Sequence, residues 1–214
     1  MTGKRLTPVV MFSHLLTVPS YALGGAPYTI HFFLGDVTDQ EISSSTTSLF
    51  DHPRHVGSVY TFSRVYTDGE TVRCPNCAHQ ADYEALSTGQ VPLTITLVKH
   101  AEDQSNHDIN HIDHRSVDRY LTRHLTWKVL SVSSPFQEML PCLGRANSSQ
   151  QSGDGINLHD MPRLRVLMLK GKAHHHREPG QMSRYFDYSS MSNVTHGKVR
   201  GASHHHYAAP HHDL

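Results

Sequence analysis

Cysteine is scarce in this 214-residue chain: there are three, an odd count that does not suit a secreted framework of paired disulfides. Cys74, Cys77 and Cys142 point instead to a reducing compartment, so a cytoplasmic location is expected. An excess of either charge is also missing. Nineteen Lys and Arg balance nineteen Asp and Glu, which leaves no electrostatic footprint for nucleic acid. No apolar run approaches the ~18 residues of a membrane-crossing helix, so no membrane partner is expected. The nucleophile elbow Gly-x-Ser-x-Gly, a phosphate-cradling Gly loop and the zinc motif His-Glu-x-x-His are absent, which removes the enzyme classes that announce themselves in short motifs. Triads that assemble only in space leave no such trace.

Histidine is what the chain has in plenty, 20 residues in all. With a reference pKa of ~6.5, about three quarters would be charged at pH 6, so mild acidification drives a neutral chain strongly positive. That governs solubility and association rather than fold. The hydrophobic share is low, 37%, and the length suits one domain of modest core with substantial loop or tail.

Residues 1–20 show no period and read as an atypical N-terminal extension. Lys4 and Arg5 precede a semi-apolar stretch from Val9 to Val18, and Ser20-Tyr21-Ala22 loosely resembles a cleavage site. Ser13, His14 and Thr17 interrupt the stretch, which makes a poor signal peptide. Tyr28 to Leu34 alternates, with Tyr28, Ile30, Phe32 and Leu34 on one face, and predicts a strand closed by Gly35. Residues 38–54 read as loop. His55 to Phe62 predicts a second strand, in which Gly57 marks a bulge or a close backbone approach. Residues 67–90 form a long polar connection that holds Cys74-Pro-Asn-Cys77.

Val91 to Val98 alternates strictly, with Leu93, Ile95 and Leu97 inward, and Pro92 confines this predicted strand to a start or an edge. Ser116 precedes Val117, Tyr120, Leu121 and Leu125, which predicts one short helix. Trp127–Val132 and Leu164–Leu169 predict two further strands, and Ser183–Tyr188 a last one. Residues 134–160 read as a flexible insertion, and the Gly- and His-rich tail from Gly197, above all 201–214, as disordered. The expected fold is all-β: an antiparallel β-sandwich with one short helix, a flexible insertion, disordered termini, and one wet face on each sheet.

Five motifs in this order resemble a known family: Tyr21-Ala-Leu-Gly-Gly-Ala-Pro-Tyr-Thr-Ile-His-Phe-Phe-Leu-Gly35, His55-Val-Gly-Ser-Val-Tyr60, Cys74-Pro-Asn-Cys77, Ser87-Thr-Gly-Gln-Val-Pro-Leu-Thr94 and Tyr120-Leu-Thr-Arg-His-Leu-Thr-Trp127. They are similar to the C-terminal domain of fungal tyrosinases (polyphenol oxidases), and Ser183–Tyr188 looks like the close of that domain. The resemblance covers about residues 21–133 and 162–200. It implies a β-sandwich that covers the entrance of a di-copper catalytic domain, keeps the enzyme latent, and serves phenol oxidation and melanin formation in the parent enzyme. An aromatic side chain would occupy the substrate pocket; Phe62 and Tyr66 are the candidates. The Cys-x-x-Cys would pass copper to the catalytic site, which assigns Cys74 and Cys77 as its carriers and the tyrosinase catalytic domain as partner. Residues 1–20 then stand where the family has its catalytic part.

The residues themselves support part of this. Two thiolates are soft donors that suit Cu(I), and two-coordinate binding leaves room for an incoming ligand. A zinc site would need two more donors, and a thioredoxin-like pair a neighbouring βαβ unit. A local disulfide or idle loop thiols are the plain alternatives, and His79 is a possible third donor. A type-3 copper site needs three imidazoles for each of two metals, and those motifs are absent, so the chain by itself is not expected to be an enzyme. His107, His111 and His114 would share a helical face, yet Asp108, Asn110 and Asp113 favour solvated loop histidines. His174-His175-His176, His204-His205-His206, His211 and His212 can bind divalent metals adventitiously. Trp127 reads as a core anchor, whereas Tyr185, Phe186 and Tyr188 could dock on a partner. A free-standing His/Cys metal-binding or interaction protein, or an inactive fragment, stays open beside the family reading.

Overall fold

Eight strands and four short α-helices are built from the residues that the computed structural model describes: 9–19, 22–44, 49–61, 86–103, 111–131, 155–174 and 182–202, with Tyr83 and Ile109. In chain order they are β1 (Val9–Pro19), β2 (Tyr28–Leu34), α1 (Asp39–Ser44), β3 (His55–Tyr60), β4 (Leu86–Pro92), α2 (Thr94–Glu102), α3 (His114–His124), β5 (Leu125–Ser131), β6 (Gly155–Ile156), β7 (Arg165–His174), β8 (Arg184–Ser190) and α4 (Ser192–Thr195). The strands form two four-stranded sheets, ordered β4-β1-β7-β8 and β3-β2-β5-β6. The chain divides into two compact units, residues 1–16, 90–123 and 165–214 in one, residues 17–89 and 124–164 in the other.

In the first unit, Phe12 of β1 is fully buried and ties the strand to the start of α2. Its N–H donates to Thr94 Oγ1 at 3.0 Å, and its carbonyl accepts the Leu93 N–H at 2.9 Å. Helix α3 buries Val117, Tyr120 and Leu121 on one side, and Asp113 satisfies its open N-terminus by accepting from the Arg115 and Ser116 N–H groups. His100 of α2 and the Tyr120 hydroxyl of α3 are hydrogen-bonded at 2.8 Å. Strands β7 and β8 pair antiparallel from Leu169↔Ser190 to His174↔Arg184, with an irregularity between Lys170 and Lys172. Gly201 lies so close to the Thr195 carbonyl that a Cβ there would meet it at 1.8 Å, so only glycine fits.

In the second unit, β2 is an inner strand paired antiparallel with both β3 and β5, and all seven of its residues are buried. Phe32 faces Trp127 across the β2–β5 pair, with ring centroids 6.5 Å apart. Helix α1 begins with a capping box: the Thr38 N–H donates to Glu41 Oε2 at 2.7 Å, and the Glu41 N–H donates to Thr38 Oγ1 at 3.2 Å. Ile42 of that helix joins Phe33, Val37 and Leu130 in a small apolar cluster against which Leu49 packs.

The all-β class and the antiparallel pairing are as expected; several details are not. Val91–Val98 is no single strand: β4 ends at Pro92 and α2 begins at Thr94. Proline cannot donate to a ladder, the Leu93 N–H is taken by Phe12, and the Leu97 N–H then donates to the Leu93 carbonyl at 2.9 Å, which starts the helical period. The edge position expected of Pro92 does hold, because β4 lies at the edge of its sheet. Among the described residues one helix becomes four, since residues 38–54 contain α1 and a 3-10 turn and α2 and α4 are added. Residues 1–20 lose their character as an extension at Val9–Pro19, which is an inner strand between β4 and β7 and buries Phe12, Ser13 and Val18. The insertion 134–160 ends in order: Gly155-Ile156 extends the sheet beside Val129 and Leu130. At the other end, Gly201 bridges Val166 and Ala202 is buried, so residues 197–202 are ordered rather than part of a disordered tail. The single wet face fails at β2, whose second face is covered by aromatic and imidazole rings.

Candidate functional site

Cys74, Cys77, His79, Phe62 and Tyr66, the residues singled out for copper and for plugging, all lie outside the described residues, in the connection between β3 and β4. The base of that connection is described and firmly held. Thr61 Oγ1 accepts the Tyr28 N–H at 3.1 Å and donates to the Tyr28 carbonyl at 2.8 Å, while the Thr61 N–H donates to the same carbonyl at 3.0 Å. Phe62 follows directly upon this anchor.

Other histidines are scattered. His107, His175, His176, His204–His206, His211 and His212 are outside the described residues. His111 and His114 are exposed, and they do not share a helix because the Asp113 cap starts α3 at His114. His174 packs its ring edge against Phe186 at 4.8 Å. Trp127 is an interior residue as expected, and among the described residues its Nε1 has no hydrogen-bond partner. Tyr185 and Tyr188 of β8 are about half exposed, at 49% and 50%. Among the described residues no helix is long and apolar enough to cross a membrane.

Sequence reasoning missed one cluster, which the β2–β3 register creates. Phe32 pairs with Gly57 but Phe33 pairs with His55, so Val56 is the extra residue of a β-bulge. Since residues opposite one another share a face, the bulge turns His55 onto the face of His31 and Phe33; a regular ladder would place Val56 there. His31 Nδ1 and His55 Nε2 come within 3.3 Å of one another, with ring centroids 5.3 Å apart. The Phe50 ring lies 5.4 Å from His31 and 5.5 Å from His55, and Phe33 lies 5.6 Å from His55. His52 meets Phe33 edge-on at 5.8 Å, and its Nδ1 accepts the Arg54 N–H at 3.1 Å.

Electrostatics keep the pair uncharged at neutral pH. His31 is only 5% exposed; burial first, and the neighbouring His55 second, push its pKa down to about 4. Burial is also the main cause that lowers His55, followed by His52, while a hydrogen bond to the Gly57 backbone opposes the shift. Three ring histidines and two phenylalanines thus cover the face of β2 opposite to Ile30 and Phe32. The sequence traces are His31-x-Phe33, His52-x-x-His55 and Gly57, which marks a bulge; the pairing itself cannot be read from them. Among the described residues, no three His, Cys, Asp or Glu side chains are grouped so that they could hold a metal ion.

Comparison with known proteins bears on the whole arrangement. The family model described as the tyrosinase C-terminal domain matches residues 15–141, a span that contains the strands β2, β3, β4 and β5 and the Cys74–Cys77 motif. A curated tyrosinase from Aspergillus fumigatus is 32% identical over 118 residues, which are 53% of this chain and 16% of that protein. Among solved structures, recombinant mushroom tyrosinase aligns with 86% of this chain and 26% of its own, at 12% identity and a TM-score of 0.42. The holo-protyrosinase of Aspergillus oryzae aligns with 85% of this chain and 21% of its own, at 17% identity and a TM-score of 0.40. The chain therefore spans a small part of the length of each of these relatives.

Proposed function

We propose that this chain, which belongs to the tyrosinase C-terminal domain family, is a non-catalytic cover and copper carrier for a di-copper catalytic domain, acting on it in the cytoplasm. Cys74 and Cys77 hold Cu(I) as cargo, with His79 as a possible third donor, and an aromatic residue at the start of the same connection, Phe62 or Tyr66, enters the phenol pocket of the partner. One observation carries this reading: the family match spans residues 15–141, a range that takes in Cys74 and Cys77. The donor set suits the cargo, because two thiolates satisfy a soft monovalent ion and leave its remaining positions open to an acceptor. The firm Thr61 anchor supports a plug at Phe62, since an inserted side chain needs a rigid base. The partner supplies phenol oxidation; this chain's own residues bind copper, exclude substrate and position the plug.

Anaerobic titration with Cu(I) against a competing chelator tests the carrier role. One equivalent binds tightly per chain, and Cys74→Ser abolishes it; tight binding that survives Cys74→Ser and Cys77→Ser rejects the thiol site. The abundance of histidine favours a second reading, a free-standing metal-binding protein. In that case several equivalents of Cu(II) or Ni(II) bind and are released below about pH 6 as the imidazoles protonate.

A further inference from the structure

The imidazole pair on β2 and β3 has no part in the cover-and-carrier reading, yet it has the form of a ligand set. We propose that His31 Nδ1 and His55 Nε2 form a two-coordinate site for a soft monovalent metal ion, Cu(I) or its analogue Ag(I), separate from Cys74 and Cys77.

Three observations support it. The two nitrogens face one another at 3.3 Å, and a metal that replaces the shared proton needs them about 4 Å apart, two bonds of roughly 2 Å each. Admitting the ion therefore requires the two rings to turn apart by the difference. A hydrogen bond to the Gly57 backbone, which works against the lowering of the His55 pKa, is the kind of outer support that orients a ligating histidine. Finally, Phe50 lies within 5.5 Å of both imidazoles, and Phe33 lies 5.6 Å from His55 and 6.3 Å from His31, so the pair sits in an apolar setting that suits a weakly hydrated ion.

The same geometry selects the ion. Zinc takes four donors, and no group of three potential ligands exists among the described residues. The nearest further imidazole, His52, uses its Nδ1 lone pair to accept the Arg54 N–H, so its other nitrogen carries the proton and is no donor to a metal. Two nitrogens in line satisfy a closed-shell monovalent ion and leave a divalent one undercoordinated. Phe50, in ring contact with both imidazoles, is itself 62% exposed.

The test uses the full chain carrying Cys74→Ser, Cys77→Ser and Cys142→Ser, so that no thiol competes for the ion. Ag(I) is added to one equivalent in chloride-free buffer, and the ring nitrogens are followed by 15N NMR. His31 Nδ1 and His55 Nε2 shift together, and His55→Phe removes the His31 shift and weakens binding there by about tenfold or more. Unmoved His31 and His55 signals while tail histidines shift would overturn the site, as would a His31 shift that persists in His55→Phe. The reading on the chain with both histidines intact decides the matter even if His55→Phe folds poorly. The outcome is independent of the carrier function, whose thiols are absent from this experiment.

Discussion

At the scale of single residues, His31 contributes to how stability depends on pH. Its pKa in the folded chain is about 4 against ~6.5 when unfolded, so between these values the unfolded chain binds a proton that the native one refuses. Stability from this group is therefore complete above about pH 6.5 and is lost as pH falls towards 4. The shift sets an upper bound of about 3 kcal/mol, reduced by residual solvent around the ring. Denaturant unfolding at pH 7 and pH 4.5 checks this: His31→Phe loses less stability on acidification than the parent chain, and equal losses count against the assignment. His55, also lowered, acts in the same direction. Nothing in the sequence marks His31 out from the other histidines, because its neighbours come from the β3 strand and the turn before it.

At the scale of elements, α2 is the most instructive misreading. Leu93 and Leu97 are buried under both periods, since i and i+4 share a face of a strand and of a helix alike. Ile95 separates the two: a strand buries it and a helix exposes it, and it is 73% exposed. Thermal or chemical denaturation should therefore find Leu97→Ala destabilised by about 2–5 kcal/mol and Ile95→Ala within about 0.5 kcal/mol of the parent. Comparable losses at both positions would restore the strand. Residues 38–54 read as loop because the polar run after Ile42 conceals α1, whose start is held by the Thr38–Glu41 capping box. Strand β1 escaped because its buried residues, Phe12, Ser13 and Val18, follow no simple alternation with their neighbours.

At the scale of the whole molecule, the proposed cover function depends on how the chain meets its partner. Free association with a tyrosinase catalytic domain carries its full entropic penalty, whereas a linker makes the encounter intramolecular. Activity assays on an exposed catalytic domain should show weak inhibition by the added chain, strengthened by about 10²–10⁴ when the two are joined through a flexible linker. A joined pair with unimpaired activity contradicts the cover.

Composition and alternation alone determined the all-β class, the places of β2, β3, β5, β7 and β8, and, through ordered motifs, the family to which the chain is similar. Those features are local: side-chain alternation and turn residues repeat within a few positions of one another. Tertiary structure alone decided that Pro92 separates a strand from a helix, that Val9–Pro19 is an inner strand, and that two imidazoles meet. Each of these turns on a partner far along the chain: Phe12 for Leu93 and Thr94, β4 and β7 for β1, and one extra residue in β3 for His31 and His55. Hydrogen bonds and burial are settled by which groups compete for them in space, and no local pattern records that competition.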